Sequence, residues 1–119
     1  MKIDHQINFI VINKQAKSLY SLIADGQYRD TSLGRDTWRT LIGSQVSLQP
    51  YCNKEGFNVG VTGNNNKARI GIISNDQNDC SSPDSRIGFG AEGYPDNSNI
   101  CGNPAWQHRI TAIGYILVQ

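Results

Sequence analysis

The first apolar residues of the chain alternate. In "INFIVIN", Ile7, Phe9 and Val11 fall on one face while Ile10 and Ile12 fall on the other, which predicts a strand covered in part on both sides. The next segment, "KQAKSLYSLIADG", places Ala16, Leu19, Tyr20 and Ile23 at helical spacing before a glycine, so one short helix near residues 15–24 is admitted. "LYSLIA" also alternates, and a strand stays open there. "QYRDTSLGRDTWRTLIG" is rich in turn formers around Trp38, with Leu41 and Ile42 completing an apolar patch and Trp38 read as core.

From Val46 onward the pattern is mostly that of strands. "VSLQPYC" reads as a strand ending near Pro50. "FNVGV", the turn "TGNNNK" and "ARIGII" form the clearest hairpin, and "RIGFG" and the terminal "ITAIGYILVQ" add two strands. The expected fold class is all-β: a single domain over residues 1–119, an antiparallel sandwich or barrel-like fold of about six to eight short strands.

Apolar–Gly–apolar recurs four times, at Val59-Gly60-Val61, Ile70-Gly71-Ile72, Ile87-Gly88-Phe89 and Ile113-Gly114-Tyr115. Flanking residues of a strand triplet share a face and the glycine points to the other. Neighbouring strands of this kind would pair an apolar face with a bare one, open to a second subunit or a flat ligand. The plainer explanation, equally weighted, is that each glycine marks a bulge or a large neighbour.

Composition narrows the function classes. The 119 residues carry a net charge of +1 and only 18% charged side chains, so nothing draws the chain to nucleic acid or anionic membranes. No apolar run is long enough for a membrane span. The N-terminal apolar run is too short for a secretory leader, so secretion would require a leader already removed. Three cysteines leave one unpaired within a chain. Pairing Cys80 with Cys101 would close a loop of about twenty residues, worth roughly 3 kcal/mol on the chain-entropy argument. That pairing is favoured here, with Cys52 as a free thiol or an intermolecular link.

No nucleophile-elbow, phosphate-loop or zinc-protease signature occurs, and His5 and His108 lie near opposite ends. Two acids for glycoside hydrolysis remain formally available, but nothing singles out a pair, and a non-enzymatic role is expected. The acids are uneven. Asp76, Asp79, Asp84, Glu92 and Asp96 fall between Asn75 and Asn103, where Arg86 is the single base. Such oxygen-rich loops suit calcium, with Asp76, Asp79 and Asp96 as the alternative metal set, although the spacing is not that of an EF-hand. Short Asp, Asn and Ser residues also build turns for local reasons.

The same residues suit a sugar, whose hydroxyls pair with carboxylates and amides while an aromatic ring packs on its C–H face. Asp84, Arg86, Asp96, Asn97 and Asn99 are the candidate hydrogen-bonding groups; Tyr94, Trp106 and His108 lie beside them in sequence. A structural Asp84–Arg86 salt bridge and a core Trp106 are the plainer alternatives.

"ARIGIISNDQNDCSSPDSRIGFG", followed by "DNSNICGN" and the terminal "GYILVQ", resembles a domain of cnidarian skeletal-matrix and lectin-like proteins, and "ADGQYRDTSLGRDTW" belongs to the same pattern. The resemblance covers most of the chain and implies an extracellular, disulfide-compatible, non-enzymatic module. The odd cysteine departs from it. The leading expectation is a secreted all-β lectin that binds a monosaccharide or glycan terminus on glycoproteins, assembled as a homo-oligomer for avidity. The alternative is a structural extracellular-matrix module stabilised by calcium.

Overall fold

A computed structural model describes residues 2–3, 6–43, 48–92 and 114–119, with side chains described from residue 7 onward within these ranges. The chain is mostly strands, with two short helices among the described residues. A two-residue hairpin pairs β1 (Lys2–Ile3) with β2 (Gln6–Ile7). The main sheet has four antiparallel strands in the order β3 (Arg29–Asp30), β4 (Tyr51–Val59), β5 (Ala68–Asn75) and β6 (Ser85–Phe89). It does not close on itself, so the described strands form no barrel.

The predicted hairpin is present as β4 and β5. Phe57 faces Ile70 and Val59 faces Ala68, so the apolar residues of "FNV" and "ARI" share one face. "RIGFG" supplies β6, with Ile87 opposite Ile72 and Phe89 opposite Ile70. This face carries the core: Phe57, Ile70, Ile72 and Ile87 gather with Leu22, Trp38, Leu41, Ile42 and Leu48.

Two helices lie against the sheet, α1 (Leu19–Ile23) on β4 and α2 (Arg35–Arg39) on β5. The first confirms the helical reading of residues 15–24. Ser18 caps it reciprocally with Ser21, whose backbone N–H donates to Ser18 Oγ at 3.1 Å. Within it only Leu22 is buried, while Tyr20 faces outward. The last carbonyls of α1 are taken by the sheet: Asn58 Nδ2 donates to the Ile23 oxygen at 3.2 Å and Arg69 Nη1 at 3.0 Å. The second helix, read in sequence as a turn-rich stretch, places Trp38 in the core as expected.

The glycines of the triplets do not pave an open face. Gly71 and Gly88 stand opposite each other, and Gly56, outside the triplet pattern, completes a row across β4, β5 and β6. A Cβ at Gly71 would collide with the Ile87 carbonyl, one at Gly88 with that of Ile70, and one at Gly56 with that of Arg29. Gly56 and Gly88 also adopt φ of 136° and 150°, which L side chains rarely reach. The row is buried backbone against backbone, the close approach that a strand glycine permits.

Three strand expectations are corrected. Residues 8–12 belong to no strand, because among the described residues no neighbouring strand offers them a hydrogen-bonding ladder. Their alternation survives as exposure: Ile7, Phe9 and Val11 are exposed, while Ile10 and Ile12 pack on the core. Leu48 and Gln49 precede the strand, which starts after Pro50, a residue with no N–H to donate. Gly114–Gln119 makes no strand either; Ile113 and the residues before it in that expected strand, back to Ile110, lie outside the described residues.

Candidate functional site at the loop between β5 and β6

Residues 76–84 connect β5 to β6, and β4 holds them. The β4–β5 register runs from Tyr51 opposite Asn75 to Lys54 opposite Ile73, leaving one extra residue in β4. Cys52 and Asn53 accommodate it with φ of 70° and 52°. The bulge carries Cys52 to Cys80, and the two form a disulfide with Cα atoms 4.9 Å apart. This replaces the expected Cys80–Cys101 bond. The chain-entropy argument values a loop but does not say which thiols meet, whereas the bulge beside the end of β5 brings Cys52 next to Cys80. Cys101 lies outside the described residues.

Hydrogen bonds fix the loop further. Asn75 Nδ2 donates to the Asp79 carbonyl and carboxylate at 3.1 Å each. Asp79 Oδ1 also accepts from the Ser81 N–H at 2.8 Å and its hydroxyl at 2.7 Å. These bonds, the Ser81 hydroxyl foremost, hold the Asp79 carboxyl below its ordinary range. At the loop's exit the Asp84 N–H donates to the Ser74 carbonyl at 3.0 Å.

Asp84 is half-buried, and its carboxyl is pushed above its ordinary range. Burial is the main cause and the charge of Asp76 the second, with a hydrogen bond from the Gln49 amide opposing them. Gln49 is held there by α2: Arg35 Nε donates to the Gln49 carbonyl at 3.1 Å, and Arg35 Nη2 donates to that of Leu48. The Gln49 side chain is 2% exposed, and its Oε1 accepts no hydrogen bond among the described residues.

Arg86 is placed differently from Asp84. It is fully buried on the sheet face opposite the core, where Nη1 donates to Asn66 Oδ1 at 2.5 Å and Asn66 Nδ2 donates to the Pro83 carbonyl. Its guanidinium therefore braces the loop from beneath instead of facing solvent. Tyr94, Asp96, Asn97, Asn99, Trp106 and His108 lie outside the described residues. Of the alternative calcium set, Asp76 and Asp79 lie in the loop and Asp96 is not described; among the described residues no three His, Cys, Asp or Glu side chains gather.

A second acid was not singled out in sequence. Glu55 is 8% exposed in the middle of β4, on the core face opposite Ile72. Its carboxylate accepts from Thr31 Oγ1 at 2.5 Å, the Leu33 N–H at 2.9 Å, the Gly34 N–H at 2.7 Å and Trp38 Nε1 at 2.8 Å. Burial alone would raise its proton affinity, but these four donors outweigh it and hold the carboxyl below its ordinary range. Glu55 thus ties residues 31–34 and α2 to the sheet. Its parity with Phe57 in an alternating strand was the available signal for an inward-facing acid.

No protein family, curated protein or solved structure matches this chain.

Proposed function

We propose that the chain is a secreted carbohydrate-binding module whose glycan meets the loop between β5 and β6. One observation carries this reading: an exposed run of Asp, Asn, Gln and Ser side chains is fixed in place by the Cys52–Cys80 bond and the Asn75–Asp79–Ser81 hydrogen bonds. A loop ordered before it meets a ligand loses little entropy on binding. Asp84 would accept from a sugar hydroxyl pair, with Asp96, Asn97 and Asn99 beside it, Tyr94 or Trp106 as the stacking ring and His108 at the edge. Arg86 would act from beneath by holding Asn66 and the Pro83 turn. The proposal includes a sandwich-like arrangement, in which further strands would cover the sheet face that carries Arg86, and a homo-oligomer to raise avidity.

The test is a glycan array at high protein concentration, run with calcium and with chelator. Binding to a defined glycan class, lost in Asp84→Ala with an unchanged melting temperature, supports the reading. Silence across the array under both conditions removes it.

The matrix-module alternative draws on a separate observation. Ile7 (78%), Phe9 (79%), Tyr115 (82%) and Leu117 (92%) are strongly exposed apolar residues, which suit contact with other macromolecules. Under that reading the array stays silent while the protein self-associates or binds a matrix surface.

A further inference from the structure

We propose that Arg35 and Arg39, one turn apart on α2, form a clamp for a singly charged oxyanion of an acidic polysaccharide, a sulfate ester or a uronate carboxylate. The choice of a polysaccharide rests on the carbohydrate reading above; the clamp itself rests on the two arginines.

Two independent observations carry it. The first is convergence. Arg35 Nη1 and Arg39 Nη1 lie 3.8 and 3.7 Å from the same atom, Asp36 Oδ1. Neither contact is short enough for a hydrogen bond, and the Asp36 side chain is 93% exposed, so it screens the pair without engaging it. Like charges at i and i+4 destabilise a helix, and this one has five residues in which to carry them. Burial first, and then the charge of Arg39, push the Arg35 guanidinium below its ordinary range.

The second observation is what Arg39 lacks. Of the five described arginines, Arg29, Arg35, Arg69 and Arg86 each donate a hydrogen bond that ties one part of the fold to another. Arg39 is half-buried yet donates to no oxygen among the described residues, and its Nε is shut off from water as well. A guanidinium that has given up water without gaining an acceptor is stabilised by an arriving oxyanion.

The chemistry selects the ligand. Arg35 is the fixed half of the clamp: Nε donates to the Gln49 carbonyl at 3.1 Å and Nη2 to that of Leu48, which leaves Nη1 to face Asp36. Arg39 is the adjustable half. Guanidinium groups pair with oxyanions through parallel N–H···O bonds and shed water more readily than an ammonium does. Two guanidiniums and one carboxylate sum to a single positive charge, which matches a monoanion better than the near-double charge of a phosphate monoester. The incoming oxygen would take the place of Asp36 Oδ1, whose exposed side chain is free to swing into solvent.

The test is titration of the full chain with oligosaccharides of heparin (sulfated), hyaluronan (carboxylated only) and cellulose (neutral), followed by NMR of the arginine Nε–Hε signals. The heparin oligosaccharide should shift the signals of Arg35 and Arg39, and the neutral one should leave them in place. A shift with hyaluronan as well assigns the carboxylate; a shift with heparin alone assigns the sulfate. R39Q should weaken binding by about tenfold or more, and D36N should tighten it about threefold. K17Q removes the same charge from an exposed position outside α2 and should change it by less than about twofold. Silent arginine signals with both acidic oligosaccharides overturn the proposal, as does an equal loss in R39Q and K17Q. Should R39Q fail to fold, D36N decides, and unchanged or weaker binding overturns the clamp. Acidic binding lost in R39Q but kept in Asp84→Ala, with no neutral glycan bound, retains the clamp and removes the β5–β6 loop as the sugar site. Neutral-glycan binding lost in Asp84→Ala, with silent arginine signals, does the reverse.

Discussion

Glu55 and Asp84 are both acids drawn into the body of the protein, and their surroundings treat them in opposite ways. Glu55 sits among four donors from residues 31–38, so its charge is solvated by the fold and its proton affinity falls. Asp84 loses water to burial, faces Asp76 and receives one amide in return, so its proton affinity rises. The first environment is complete without a ligand. The second is short of positive partners, and that shortage marks the mouth of the β5–β6 loop as the place to look for function.

The contrast can be broken at several points. Glu55→Ala should have the largest effect, about 4 kcal/mol of lost stability in urea unfolding, because it strands the Trp38 indole N–H and two backbone N–H groups in the core. A loss under 1 kcal/mol would mean that Glu55 is not the tie between α2 and the sheet. Next comes the staple. Cys52 and Cys80 are 28 residues apart. The chain-entropy argument puts the double serine variant about 3.5 kcal/mol below wild type. Faster amide exchange should then be confined to residues 76–84 if the loop depends on the staple.

The two acids should also separate by pH. The folded proton affinity of Glu55 is below its unfolded value, so its stabilisation is present above the unfolded pKa of about 4.3 and is lost as pH falls through the folded value. Asp84 runs the other way: its contribution is present below the unfolded pKa of about 3.9 and is lost as pH rises through the raised folded value. Asp84→Asn should accordingly show the smallest effect and the opposite sign, a gain of under about 1 kcal/mol at neutral pH without added metal.

Much of the sheet was legible in the sequence, because alternation and turn chemistry are local. "FNVGV", "TGNNNK" and "ARIGII" state their own pairing, and "RIGFG" repeats the parity that places Ile87 opposite Ile72. Residues 8–12 alternate just as cleanly yet form no strand, since a ladder also needs a partner, which alternation does not supply. The glycines signalled a special approach but not its kind; only the register brings Gly56, Gly71 and Gly88 together as buried backbone. The candidate loop was visible as a cluster of short polar residues, and Asp84 within it. Its staple was not, because a one-residue bulge at Cys52 and Asn53 leaves no mark in the composition. Gln49 was equally silent: a glutamine before a proline acquires its position only when Arg35 grips the carbonyls of residues 48 and 49.

The most direct test of that shortage at Asp84 is urea unfolding of Asp84→Asn and wild type at pH 7 and at pH 3, with chelator present throughout. The account predicts that the variant is the more stable of the two at pH 7 and equal to wild type at pH 3, where Asp84 is protonated in both folded and unfolded chains. A variant less stable than wild type at pH 7 would show that the Asp84 charge is already well satisfied within the fold, and would contradict it.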